Sequence, residues 1–270
     1  MQNRVGKCHI CGKYGPLSKE HVPPQKAFNA DRAFTHMGMQ ALKREGYWPW
    51  DLDSMRGGKQ HQNGVGFYTL CVRCNNLTGG WYGGAFVHAL RVAYQSLLRQ
   101  APVGDKKEVE ITLRGTYPLR VFKQILSMFC SINGPDFIRA HPGLREALLN
   151  KETKIAPPGY RIFAYVITGK VSRYIGMSGA IGSTGNRVLS ELSAPPFGYV
   201  LEINPSESVK SLYSDITFFG RAFGYQEKRD ITLTMPVLES NTLFPADYRS
   251  REEIMAAYVE NKLREIYEQP

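Results

Sequence analysis

Long apolar runs are missing from this chain of 270 residues: nowhere do eighteen apolar residues follow one another, so no transmembrane helix is expected. The first thirteen residues, Met1 to Lys13, lack the apolar stretch of a secretory signal and hold a cysteine pair instead, so no signal peptide is expected there. Cysteine is scarce, with five in all, and four of these fall into two C-x-x-C pairs. An odd count in a chain without a signal points to metal binding rather than disulfides, and to the reducing cytoplasm as compartment. Internal repeats, heptads and low-complexity segments are also absent. Disorder is excluded, because 43% of residues are apolar and only 21% charged. The length suits about two domains.

Acidic residues are short in one half only. Residues 1–104 carry 13 Lys/Arg against 5 Asp/Glu, a net of +8, whereas residues 105–270 carry 21 against 19, a net of +2. The cationic half therefore coincides with the cysteines, and such a balance favours a polyanionic partner.

The two cysteine pairs sit in short knuckles, Lys7-Cys8-His9-Ile10-Cys11-Gly12 and Leu70-Cys71-Val72-Arg73-Cys74-Asn75. Cys8, Cys11, Cys71 and Cys74 offer four thiolates, the ligand set of a closed, structural zinc site with no open position for water. An iron–sulfur cluster and a redox pair remain the alternatives for the same residues. Cys130 lies in an apolar helical run and reads as a buried hydrophobe.

Between the knuckles, Asn63-Gly64 is a hairpin turn signal with Val65 to Leu70 as the returning strand. Trp81 to Gln100 reads as a helix with Phe86, Leu90, Ala93 and Leu97 on one face, and Ala101 to Asp105 as a linker. Helices are expected over Leu119–Ile132, Leu144–Asn150 and Glu252–Tyr267, the last capped by Ser250. Strands are expected over Val109–Leu113, Arg161–Thr168, Ser172–Met177, Phe197–Ile203 and Asp230–Met235. The expected fold class is α+β: residues 1–104 form a zinc-organised module, and residues 105–270 a domain with a mostly antiparallel sheet.

Six residues beyond Cys11 begins Leu17-Ser18-Lys19-Glu20-His21-Val22-Pro23-Pro24, with Glu20 nine residues from that cysteine. Here the chain resembles the HNH family of nucleases over roughly residues 7–100. In zinc-containing members a C-x-x-C knuckle precedes an acidic residue, a histidine, an apolar residue and a proline. A second C-x-x-C follows, with Asn or His directly after its last cysteine. The resemblance implies a treble-clef, ββα-metal module in which His21 is the general base. Glu20 and Asn75 would ligate a catalytic Mg²⁺ or Mn²⁺, beside the structural Zn²⁺ on the four cysteines. The implied activity is hydrolysis of phosphodiester bonds, with DNA the expected partner ahead of RNA and no role for a membrane. Where family members carry an Asn that orients the histidine, this chain has Gly66, leaving Asn63 or a backbone carbonyl to serve. A Lys that commonly follows the final Asn is replaced by Asn76-Leu77-Thr78-Gly79-Gly80, where helix N-terminal amides are expected to meet phosphate.

Other residues are read more plainly. Lys19, Lys26, Lys59 and Arg73, together with Lys13, Arg32 and Arg56, are candidate phosphate contacts. Trp48, Trp50, Trp81 and Tyr82 are candidates for base stacking or for core. His61 reads as an exposed turn residue, and the glycines of 176–185 as a strand-connecting loop. A non-catalytic, zinc-stabilised nucleic-acid-binding protein is the alternative function, and a protein-interaction scaffold a third.

Overall fold

The strands of residues 106–267 are built from alternating or wholly apolar runs, and they assemble around two helices. In the computed structural model, residues 4–36, 58–100, 103, 106–154, 159–169, 171–182, 185–204 and 212–267 are described. Trp48, Trp50, Arg56 and most of the expected linker lie outside these residues.

The amino-terminal part forms a three-stranded antiparallel sheet in the order β1 (Val5–Lys7), β2 (Tyr14–His21), β5 (Gly66–Cys71). A separate pair, β3 (Ala33–Thr35) and β4 (Lys59–His61), lies in the excursion between β2 and β5. Asn63-Gly64 does make a turn, with Gly64 at φ +77°, yet it joins strands of two different sheets. The partner of β5 is β2, with Lys19 opposite Tyr68 and His21 opposite Gly66.

After β5 the chain enters α1 (Val72–Thr78), a π-helical stretch (Gly79–Gly83) and α2 (Gly84–Leu98). Thr78, Gly79, Gly83 and Gly84 all keep right-handed helical dihedrals, so the three pieces make one unbroken rod. The helix therefore begins nine residues before the expected start at Trp81. Four glycines read as breakers, but burying Tyr82 and Phe86, both 0% exposed, outweighs a helix cost of about 1 kcal/mol per glycine.

Beyond residue 106 come β6 (Glu108–Thr116), α3 (Pro118–Ile132), α4 (Pro135–Ala140), α5 (Pro142–Leu149), β7 (Tyr160–Thr168), β8 (Arg173–Gly182), β9 (Gly185–Ala194) and β10 (Phe197–Ile203). The short β11 (Ser214–Asp215), α6 (Phe218–Arg221), β12 (Arg229–Glu239) and α7 (Arg251–Tyr267) complete the order. The large sheet runs β6-β12-β7-β10-β9-β8, with β11 against β7. Every pairing in it is antiparallel except β12 with β7. The fold is thus α+β with a mostly antiparallel sheet. The glycines of 176–182 sit within β8 and Gly185 begins β9, so these glycines belong to strands rather than to a loop.

Alternation along β7 explains its continuous apolar run, since both faces are covered. Ile162, Ala164 and Val166 join the main core with α2 and α3, while Phe163, Tyr165 and Ile167 form a second cluster with Leu189, Val200 and Tyr213. The main core runs from Cys8 to Met235, so the residues before and after position 104 share one interior. α3 is its axis: from Pro118 to Ser131 every residue except Arg120 is buried, Lys123 and Cys130 included. Lys123 meets the demand of a buried ammonium by donating to the Asn150 and Lys151 carbonyls at 2.7 and 3.0 Å. Burial pulls its pKa down to about 8. Ser250 caps α7 as expected, in a reciprocal pair with Glu253. Among the described residues no helix is long and apolar enough to cross a membrane.

The second face is pinned by charge. Arg173 and Glu191 are 1% and 0% exposed and pair at 3.0 Å. Tyr165 and the Ala246 amide also donate to Glu191, at 2.7 and 2.8 Å. Removing one member strands the other without solvent. Glu191→Ala is expected to cost about 3–5 kcal/mol in urea unfolding, and a loss below about 1 kcal/mol contradicts this role for the pair.

Candidate metal centre and histidine site

A tight turn shapes the first knuckle: Gly12 amide donates to the Cys8 carbonyl at 2.9 Å, and Gly12 takes φ +74°, open to glycine alone at little cost. His9 amide donates to the Thr69 carbonyl at 2.9 Å, which moors this knuckle to β5. The second knuckle is the junction of β5 with α1, where Cys71 ends the strand and Cys74 lies in the first helical turn. As a result the sulfurs of Cys8, Cys11, Cys71 and Cys74 all lie within 4.8 Å of one another. Cys11 and Cys71 sulfurs are 3.8 Å apart. A tetrahedron with zinc–sulfur bonds of about 2.3 Å has edges of about 3.8 Å, so the four thiols fit a zinc ion. The Cys8 thiol is lowered to about 4, chiefly by a hydrogen bond from Cys74, whose own thiol is raised by the same contact. Sulfurs crowded in this way cannot all ionise by themselves, and a cation among them would remove that penalty. His9 is not part of the group, since its Nδ1 contacts the Cys130 carbonyl at 3.1 Å.

The same hairpin carries the other expected residues. His21 closes β2 with its ring beside the Asn63 backbone, an interaction that pulls its pKa upward. Its Nε2 is buried and has no hydrogen-bond partner among the described residues. Burial first, then the charge of Lys19, holds the imidazole below its usual pKa, so at neutral pH the ring is uncharged. The Asn63 contribution is therefore made by backbone. Gly66, opposite His21, has a separate use: a Cβ there would lie 2.7 Å from Cε of Lys19 and 2.8 Å from the Glu20 carbonyl. Its bare α-carbon lets the Lys19 chain cross beside His21.

The segments flanking His21 and Asn63 are tied together by Asn29, which sequence reasoning passed over. Its Nδ2 donates to the Pro23 and Val65 carbonyls at 2.6 and 2.8 Å, and its Oδ1 accepts from the Val65 amide at 2.7 Å. One buried amide thus ties the segment after His21 to the segment after Asn63. Nothing in Ala27-Phe28-Asn29-Ala30 announces this, because the partners are backbone atoms distant in sequence.

Asn75 lies in α1 and donates from Nδ2 to Ser18 Oγ and the Lys19 carbonyl, each at 3.1 Å. Its Oδ1 accepts no hydrogen bond from a described residue. Glu20 behaves differently. Successive strand residues face opposite ways, and while Lys19 is exposed Glu20 is 6% exposed and turned inward. Its carboxyl accepts a short hydrogen bond from Ser131 of α3, which also meets Thr69 at 2.6 Å. Burial raises its pKa to about 8.

Two expectations need correction. His61 is not an exposed turn residue: it is 6% exposed on β4, with Nε2 2.9 Å from Thr35 Oγ1. The amides of Thr78 to Gly80 do not begin a helix, because that stretch lies inside the unbroken rod. Tyr82 is core, 0% exposed with its hydroxyl donating to the Leu148 carbonyl at 2.8 Å, and Trp81 is half-buried. Lys13, Lys19, Lys26, Arg32, Lys59 and Arg73 are all exposed. The chain has no significant match to any protein-family model, curated protein or solved structure.

Burial of Glu20 makes stability depend on pH. The carboxyl ionises near 4.5 in an ordinary setting and near about 8 in the fold, so between those values the folded form keeps a proton that the unfolded chain releases. Stability must then fall as pH rises through that window. Glu20→Gln, which can still accept from Ser131, is expected to flatten the fall in Tm and to be the more stable form at its alkaline end. An unaltered pH slope contradicts the buried, protonated state.

Proposed function

We propose that the chain is a zinc-stabilised, HNH-type nuclease that hydrolyses phosphodiester bonds of nucleic acid, DNA ahead of RNA. The observation that carries the reading is His21: its ring lies beside the Asn63 backbone and its Nε2 has no hydrogen-bond partner among the described residues. A neutral imidazole whose Nε2 has no partner can accept a proton there, as a general base taking it from the attacking water must. The module would be a treble clef, with the β2–β5 hairpin and α1 as its ββα unit and the four cysteines as its structural zinc site.

The arrangement supplies binding as well. Lys19 passes over Gly66 beside His21 and stands in for the lysine absent after Asn75, offering its ammonium to a phosphate oxygen. Lys26, Lys59 and Arg73 add exposed positive charge to the same module. The reading also includes Mg²⁺ or Mn²⁺ at Asn75 and Glu20, which when bound supplies positive charge against the leaving oxygen. Asn75 has a free carbonyl oxygen for that purpose. Glu20 serves only after losing its proton and its bond from Ser131.

That engagement of Glu20 favours a second reading, a zinc-stabilised protein that binds nucleic acid without cutting it. One experiment separates the two. Zinc-loaded protein is incubated with Mg²⁺ or Mn²⁺ and with duplex DNA, single-stranded DNA or RNA, beside the His21→Ala variant. Cleavage that falls about a hundred- to ten-thousand-fold in the variant is the expected result. Failure to cut any substrate, with salt-sensitive binding that survives His21→Ala, overturns catalysis and leaves the second reading.

A further inference from the structure

Strand register sets out more than a catalytic residue on the open face of the β1-β2-β5 sheet. Tyr68 lies opposite Lys19, and His21 opposite Gly66, so these residues share one face, while Glu20 and Phe67 take the other. Tyr68 is 37% exposed in spite of its size. The guanidinium of Arg4, from the approach to β1, stands over its ring at 4.5 Å from the centroid. Two planar groups are thus already stacked on the surface, one residue pair away from His21, with the Lys19 chain lying over Gly66 between them.

Charge on this part of the molecule has one sign. Within residues 4–36 and 58–100 there are ten Lys/Arg and two acids, Glu20 and Asp31. Glu20 is buried on the opposite face. A polyanion can therefore cross the sheet without meeting a carboxylate of β1, β2 or β5.

We propose that this face carries an unpaired nucleic-acid strand, one base stacking on the Tyr68–Arg4 pair and the adjoining phosphate drawn by Lys19 toward His21. The inference rests on the nuclease or binding reading above and deepens it by naming the form of the substrate. An exposed ring on a flat strand has no use for a duplex, whose base faces are hidden by their neighbours. It has one for a splayed strand, because every base offers a π-face and a guanidinium plane stacks equally well. Lys19 supplies the counter-charge without sequence readout.

The test uses the full zinc-loaded chain without added Mg²⁺ or Mn²⁺, with a fluorescein-labelled twelve-nucleotide oligothymidine and a twelve-base-pair duplex as probes in anisotropy titrations. Tyr68→Ala is expected to weaken oligothymidine binding about tenfold, while Tyr68→Phe, which keeps the ring, stays within about twofold of wild type. Duplex binding is expected to change little in both. Arg4→Gln, which removes the overlying guanidinium from an exposed position, serves as a second variant should Tyr68→Ala lose its zinc, and is expected to weaken the oligothymidine more than the duplex. If wild type binds oligothymidine and neither Tyr68→Ala nor Arg4→Gln alters it, the strand path is overturned and the function above stands. Binding of neither probe by wild type, at low salt, overturns both.

Discussion

Four sulfurs drawn to one point are the constraint on which the amino-terminal architecture rests. Cys11 and Cys71 are sixty residues apart in sequence, yet their sulfurs meet at 3.8 Å. Closing a loop of that length has an entropic cost that grows only slowly with length, so a strong bond at its neck is enough to hold it. The neck consists of β2 and β5, and everything placed on them inherits its position from the cysteines. His21 is ten residues from Cys11 along β2, and Asn75 is the residue after Cys74.

The metal centre does not stand apart from the rest of the protein. Cys8, Ile10, Leu70 and Cys74 belong to the same buried cluster as α3 and the central sheet. Polar contacts repeat that union, with His9 against the Cys130 carbonyl and Glu20 against Ser131. A small zinc module usually lacks apolar bulk of its own. Here the long, buried α3 supplies it, which also explains why that helix meets solvent only at Arg120 and Ile132.

Much of this was legible from residue pattern. The two knuckles, the strand Phe197–Ile203 and the helices ending at Ile132 and Tyr267 follow from spacing and from period, which are local properties. What escaped was non-local. β2 is hidden because Tyr14-Gly15-Pro16-Leu17-Ser18-Lys19-Glu20-His21 has no clean alternation, and it is a strand because β1 and β5 flank it. The start of α1 is masked by four glycines whose cost is offset by packing further along the rod. His61 looked exposed among Gln and Lys, but it is buried on β4, which pairs with β3. Around His21, the tie made by Asn29 was not readable, because its partners are backbone atoms distant in sequence. Glu20 carried a motif role that its burial against Ser131 turns toward the interior.

Zinc K-edge X-ray absorption on the purified, full-length protein tests the central constraint most directly. The account predicts one zinc per chain with four sulfur neighbours at about 2.3 Å. A folded protein without zinc, or a first coordination sphere of oxygen and nitrogen, would contradict it.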